Sequence, residues 1–367
     1  PDYWGKDLPF RRGTNNVDEI KFEYFGDGVV LFEAFKTGEI DMFREGNAEK
    51  WETQFNFPRV QNGEVVKTEV PHQRPTGMRG LVMNSRKAKF QDWRVRQALI
   101  QAFNFEYIND AQNAGRQDRI SSYFSNSLLG MSHDPAEGLV RDLLLPYQDQ
   151  LLPGTLEGYR LPVSDGSQRN RANIRAAKAL LEEAGYSVQD GVLVAPDGAP
   201  FTFEILLRQG AVEYLSIVEM YLQDLKRLGI TAEVTLIDNA QYNERLRRTD
   251  FDMTPYARGL SLSPGNEQLL YWGSEMADIE GTRNLMGIKS EVMDHLLSNI
   301  LTSKTQDDLK SVTKAMDRVL MAGRYVIPIY FDGVSRIAHV NTLNKPDMAP
   351  IYGDRIGYFP DVWWIEE

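Results

Sequence analysis

The sequence predicts an α/β protein, and three observations carry that prediction. Between residues 172 and 258, strand-like and helix-like stretches follow one another in the order β-α-β-α-β. The strand-like stretches alternate with period two, and the helix-like ones carry apolar residues at helical spacing. The chain has 367 residues, 42% apolar and 25% charged. That is an ordinary globular composition, with length for two or three domains at roughly 150 residues each.

In chain order, Glu19–Phe25 reads as a strand, Gly26-Asp27-Gly28 as a loop and Val29–Lys36 as a short helix. Thr37-Gly38-Glu39 ends that helix and Ile40–Phe43 returns as a strand. Residues 64–85 read as two extended segments around Pro71 and Pro75, with Leu81-Val82-Met83 the more buried part. Asp92 can cap a helix on which Val95, Leu99, Ala102 and Phe103 recur at helical spacing. Residues 113–168, rich in Ser, Gly, Pro and Asp, read as a long irregular excursion with short helices.

Ile174, Ala177, Leu181 and Ala184 then form a helical stripe that stops at Gly185. Phe201–Ile205 alternates as a strand, and Leu215, Val218, Leu222 and Leu225 mark a helix ending at Gly229. Ile230–Ile237 is a second strand, Asn239–Arg248 a polar helix and Phe251–Ala257 a third strand. Such an order implies parallel pairs with right-handed crossovers, and ligands gather beyond the carboxyl ends of such strands. Helices follow at Glu291–Leu301 and Asp307–Leu320, the second opened by Thr305 with Asp308 as a capping box. Val326–Val340 is a long extended segment through Pro328, and Val362-Trp363-Trp364-Ile365 suits a terminal strand docked on a core.

Composition removes several classes. Lys and Arg total 41 against 52 Asp and Glu, a net charge of −11, which disfavours nucleic acid and anionic lipid as partners. No run approaches about 18 consecutive apolar residues, so no membrane-spanning helix is expected. Zero cysteines remove disulfides, thiolate metal sites and cysteine nucleophiles. His72, His133, His295 and His339 lack ligand-like spacing, so no metal and no other cofactor is expected. Gly26-Asp27-Gly28 and Gly77-Met78-Arg79-Gly80 match neither a dinucleotide fingerprint nor a P-loop.

Gly259-Leu260-Ser261-Leu262-Ser263 approaches the G-x-S-x-G nucleophile elbow, but Ser263 stands where the last Gly belongs and Pro264-Gly265 favours a loop. A serine esterase or peptidase using Ser261 or Ser263 is therefore the competing enzyme reading. The carboxylate pairs Asp250/Asp252 and Asp307/Asp308 are explained by solvated charge and helix-dipole complementarity. Tyr123, Phe124, Tyr214, Tyr271 and Trp272 fall in loop or strand-end contexts, the setting of an aromatic-lined small-molecule or peptide site.

Several segments together resemble the family 5 extracellular solute-binding proteins, the oligopeptide- and dipeptide-binding components of ABC importers. Pro1-Asp2-Tyr3-Trp4-Gly5 looks like the family's N-P-x-Y-W segment without its first Asn. Phe35–Asp41 is similar to its x-x-x-G-E-I-D turn. The most specific match runs from Asn84-Ser85 through Phe90-Gln91-Asp92-Trp93-Arg94-Val95-Arg96-Gln97-Ala98-Leu99, similar to N-x-x-x-x-x-F-x-D-x-R-V-R-x-A-L. Ala179–Tyr186 resembles the A-x-x-L-L-x-E-A-G-Y helix end, and Val326–Tyr330 the I-P-x-Y exit strand. Arg74–Met78 and Ser261–Gln268 look most like the YejA-type oligopeptide-binding branch.

The resemblance implies a periplasmic-binding-protein-like type II (cluster C) two-lobe fold with a hinge, from which the N-terminal part of lobe one is absent. The opening is no translation start and Met42 is the first methionine, which fits a processed product or fragment. About two hundred residues of a mature protein would be missing. Lobe one would comprise 1–78 and 334–367, lobe two 79–333, and the crossings near Thr76–Gly80 and Phe331–Val334 the hinge. The implied function is a monomeric periplasmic protein that captures oligopeptide-like solutes and docks on an inner-membrane ABC permease. It performs no chemistry on the ligand. A sugar or other non-peptide solute is the alternative, with Tyr271 and Trp272 stacking on the ring.

In related peptide binders an Asp after the third strand of lobe two pairs with the peptide α-amino group. Ser261 stands near that position here, so Glu267 either supplies the charge instead or is a solvated loop carboxylate. Arg258 either pairs with a ligand carboxylate or closes a lobe salt bridge. Arg208, Gln209 and Tyr214, at a strand end and the following helix start, face the same cleft. Arg74 and Arg79 flank the first crossing, and Ser263 and Asn266 complete the expected ligand-binding set.

Overall fold

The computed structural model describes residues 3–26, 28–355 and 357–366. Pro1-Asp2 of the opening motif and Asp27 of the Gly26–Gly28 loop lie outside the described residues. The chain divides into two compact units, Pro1–Arg74 with Asp332–Glu367, and Pro75–Phe331.

The first unit is built on an antiparallel sheet in which Val334–Val340 lies between Met42–Glu45 and Val65–Pro71. The helix Gly28–Thr37 lays Phe32 and Phe35 onto Phe43, Trp51, Phe55 and Phe57, an aromatic core with edge-on ring contacts such as Phe35–Phe57 at 5.9 Å. Trp363 is buried and packs edge-on against Phe359 at 4.8 Å, whereas the strand Trp364–Ile365, paired with Leu343–Asn344, is exposed, so of the expected docked terminal strand only Trp363 reaches the core.

Glu19–Phe25 departs from expectation. It makes no backbone hydrogen bond to another segment among the described residues, and Phe22 is 72% and Tyr24 94% exposed. Alternation specifies an extended chain, but a strand exists only where a neighbour supplies the ladder. The long Val326–Val340 segment likewise resolves into three strands, Val326–Pro328, Tyr330–Phe331 and Val334–Val340, the last belonging to the first unit.

The second unit holds a five-stranded mixed sheet in the order Val326–Pro328, Met78–Met83, Met253–Arg258, Thr202–Arg208, Thr231–Ile237. The Thr202–Arg208 strand runs parallel to both Thr231–Ile237 and Met253–Arg258, as the β-α-β-α-β order implies. Met78–Met83 is inserted antiparallel, which makes the sheet mixed. Both faces are covered. Leu81, Ile205 and Leu207 pack under the helices Trp93–Ala102, Arg171–Glu183 and Val212–Arg227. Val82, Leu206 and Val326 pack under the helices Glu291–Thr302 and Gln306–Gly323. Each such fully buried aliphatic chain contributes about 1.5–3 kcal/mol of transfer free energy.

Local signals are realised closely. Asp92 caps its helix by accepting from Arg94 N at 2.8 Å, and Thr305 with Asp308 forms a reciprocal capping box. Signature residues prove to be packing devices. Asn84 is buried and donates to the carbonyls of Thr249 and Phe251, while buried Arg96 caps the carbonyls of Gly323, Phe90 and Gln91. Residues 113–168 form the irregular excursion expected, with one α-helix at Gly138–Leu144 among the described residues. It is pinned by Asp317, which accepts from Ser122 Oγ and from the backbone N–H groups of Tyr123 and Met131 at 2.9 Å each. Burial raises that carboxyl to about 6, against the lowering effect of those same hydrogen bonds.

Candidate functional site

The site lies where the parallel strands of the second unit finish. Thr202–Arg208 ends on Arg208, Met253–Arg258 on Arg258, and the antiparallel Met78–Met83 strand contributes its first residues to the same end, with Arg79 opposite Ala257. The two parallel strands pair at Ile205 and Met253. Thr254 Oγ1 donates to Leu206 O at 2.9 Å, and Tyr242 OH lies 2.8 Å from Thr254 Oγ1. A cavity of about 440 Å³ at this end is bordered by Arg79, Arg208, Glu213, Tyr214, Tyr242 and Pro255.

Close backbone approach shapes this end of the sheet. Gly77 has φ +66°, and a Cβ there would collide with the carbonyl oxygen of Arg258. Gly80 sits equally tight against Ile327 O. The two glycines set the strand that carries Arg79 against its neighbours on both sides.

Inside the cavity, Glu213 is the hub. It lies in the first turn of the helix Val212–Arg227, where a carboxylate complements the helix dipole. Arg79 ion-pairs with its Oε2, and Tyr330 OH donates to its Oε1 at 2.6 Å. Burial, and then the adjacent Glu213 carboxylate, holds the Tyr330 phenol well above its ordinary range. Tyr214 follows on the helix with Arg79 5.7 Å from its ring centroid; burial holds its phenol above the ordinary range, against the lowering effect of the adjacent Arg79 guanidinium. Arg208 is exposed and forms no ion pair among the described residues.

A neighbouring hollow of about 590 Å³ is bordered by Arg258, Tyr271 and Arg283. Arg258 lies over the Tyr271 ring, 3.3 Å from its centroid, and Arg283 donates to the Tyr271 hydroxyl at 3.1 Å.

The expected site residues therefore scatter. Arg79, Arg208 and Tyr214 border one cavity, with Gln209 beside them, its backbone N–H bonded to Ile237 O at 2.7 Å. Arg258 lines the second. Ser261, Ser263, Asn266 and Glu267 lie on the following loop and helix start, where Ser261 Oγ accepts from Ser263 N and Glu267 accepts from Gly265 N and Gln268 Nε2. Arg74 belongs to the first unit, where it bonds to Asp354, Tyr352 O and Ser335 Oγ. Trp272 is a correction. It is fully buried and meets Tyr123 edge-on at 5.8 Å, so its ring fills the core and presents no face to a solute. Neither Ser261 nor Ser263 bonds to a histidine among the described residues; His133 engages Tyr159 O and His295 engages Asn299.

Sequence reasoning missed Glu213 and Tyr330. A helix-start carboxylate beside Tyr214 was a local signal for the first, whereas the second is 117 residues away and left none.

A mixed sheet with both faces covered, a charged and aromatic hollow at its strand ends and a second unit completed by the chain's return defines a type II periplasmic-binding-protein fold. Residues 1–278 match the bacterial extracellular solute-binding proteins, family 5 middle region, and the chain belongs to that family, in its YejA-like branch. It is 39% identical over 367 residues to a probable peptide-binding protein YejA of Agrobacterium fabrum, covering 99% of this chain and 59% of that protein. It is 36% identical over 375 residues to the peptidoglycan-binding protein YepA of the same organism, covering 99% and 60%. The chain thus spans about three fifths of the length of the curated relatives it matches. Among solved structures, the oligopeptide-binding protein AppA of Bacillus subtilis, in complex with a nonapeptide, superposes with a TM-score of 0.65 at 19% identity, covering 94% of this chain and 59% of that one. No helix of the described residues is long and apolar enough to cross a membrane.

Proposed function

We propose that the protein is a periplasmic solute-binding component that captures oligopeptide-like ligands, including peptides released from peptidoglycan, and delivers them unaltered to an inner-membrane ABC permease. The observation that carries this reading is the cavity at the strand ends, where Arg79, Arg208, Glu213 and Tyr214 gather in a family whose relatives bear peptide- and peptidoglycan-binding names. Charged side chains on a mouth of that size suit a polar, zwitterionic solute better than an apolar one. The protein works as a monomer.

Native mass spectrometry of the purified chain tests the proposal. A heterogeneous set of co-purifying short peptides or muropeptides supports it. A single neutral saccharide mass replaces it with the sugar-binding reading. Hydrolysis of a chromogenic ester that Ser261→Ala abolishes replaces it with the esterase reading.

A further inference from the structure

The chain carries a net charge of −11, yet one hollow on the second unit is walled by cations. It has a volume of about 600 Å³ and is lined by Arg169, Arg171, Arg175, Lys178 and Arg227, with Ile174 among them. Arg171, Arg175 and Lys178 recur at spacings of four and three on the helix Arg171–Glu183, so they share one face. Like charges so placed repel, and Arg171, at the helix start, also opposes the helix dipole. Arg227 comes from the last turn of the helix Val212–Arg227 and is fixed in place: it pairs with the buried Asp224 and donates to Gln168 O at 2.8 Å. Asp165 is a second carboxylate that bears on the group. Hydrogen bonds from Ser167, and then the Arg171 charge, hold it below its ordinary range. Arg169, Arg171, Arg175 and Lys178 form no ion pair among the described residues. Against these two carboxylates the five cations keep an excess of three positive charges. Arg245 and Arg247 show the contrast, since each meets a carboxylate directly, Glu204 and Glu244.

We propose that this hollow is a polyanion site, which takes a group carrying two or more phosphates. Guanidinium forks match phosphate oxygens in two-point contacts, and several of them around one concave wall favour a multiply charged group over a single phosphate. The volume suits a compact group of that kind. An anion seated there relieves the repulsion along the Arg171–Glu183 helix, so binding and local stability are coupled. The site is separate from the strand-end cavity: Glu213 and Arg227 stand at opposite ends of one helix, about 20 Å apart at 1.5 Å per residue. The assignment goes beyond solute capture and does not depend on which solute is carried. Two sources share the chemistry, a soluble oligophosphate and the headgroup of a diphosphatidyl lipid.

Calorimetric titration of the 367-residue chain with orthophosphate, pyrophosphate and triphosphate at low ionic strength tests the site. Pyrophosphate should bind at least about 10-fold more tightly than orthophosphate, and added salt should weaken it steeply. The double variant Arg175→Gln/Lys178→Gln should lose at least about 10-fold of that affinity, whereas Lys310→Gln, at a cation already paired with Asp307, should lose none. Arg175 and Lys178 are exposed, so the double variant should melt no lower than the parent, which is checked first. Flotation with phosphatidylcholine vesicles, with and without cardiolipin, separates the sources. Pyrophosphate binding together with cardiolipin-dependent flotation that pyrophosphate reverses assigns the site to the lipid headgroup. Pyrophosphate binding without flotation assigns it to a soluble anion. Equal affinity for pyrophosphate and orthophosphate, a preference that survives the double variant, or no binding of either overturns the site. Flotation without pyrophosphate binding also overturns it, in favour of a diffuse attraction between charged surfaces.

Discussion

Tyr330 donates its phenolic hydrogen to Glu213 across 2.6 Å, joining the short strand Tyr330–Phe331 to the first turn of the helix that borders the cavity. Arg79 approaches the same carboxylate from the Met78–Met83 strand, so one acid joins three elements that are far apart in sequence. A charged hydrogen bond of this kind is worth about 1.5–3 kcal/mol when buried. With Glu213 some 40% exposed, about 1 kcal/mol is the better expectation. Tyr330→Phe should lower unfolding free energy by about that amount in urea. In a double-mutant cycle, Tyr330→Phe with Glu213→Gln should lose less than the sum of the single changes. Strict additivity would show that the two side chains do not interact in solution.

Gly77 carries a second prediction. Its φ of +66° and the nearness of Arg258 O leave no position for a methyl group without moving the Met78–Met83 strand. Gly77→Ala should cost more than about 2 kcal/mol of stability or abolish soluble expression, since strained backbone and a carbonyl collision add. Gly63→Ala, also at positive φ but with nothing within 4 Å, should cost only about 1 kcal/mol. Comparable losses at the two positions would show that backbone conformation, and not the collision, sets the cost.

Asp317 makes stability depend on pH. Its carboxyl, raised to about 6 by burial, starts from an ordinary value of 3.8. Between those values the folded chain binds the proton more readily than the unfolded one, so folding takes up a proton there. The contribution is complete below about pH 4 and is lost as pH rises through 6, amounting to about 3 kcal/mol at most. Asp317→Asn should flatten the difference in urea midpoint between pH 4 and pH 7. It should also destabilise the protein throughout, because the amide nitrogen can only donate, so one of the two backbone N–H groups loses its acceptor. A variant whose pH profile parallels the parent's would locate the titration elsewhere.

What was legible in the sequence was local. Asp92 and Thr305 announce helix starts because a cap needs only the next three residues. The alternation of Phe203, Ile205 and Leu207 against Leu206 reports a strand covered on both faces. Pairing is not local. Glu19–Phe25 alternates as well as the true strands do, yet extends without a neighbour. Arg208 and Tyr214 could be placed near the strand end, but that Glu213 commits Arg79 and leaves Arg208 open depends on Tyr330, and no short-range pattern records that.

Trp272 shows how an aromatic outside regular strands misleads. It closes the short helix Glu267–Trp272, and its ring turns inward onto Tyr123 and the core under Glu291–Thr302. A stacking platform for a solute must expose a face, and this indole exposes none. Trp272→Phe should therefore act on stability, costing about 1–3 kcal/mol through the volume it removes. The difference between parent and variant emission spectra should be that of an indole shielded from water. A difference spectrum typical of a hydrated indole, with an unchanged denaturation midpoint, would return Trp272 to the surface and to the list of ligand contacts.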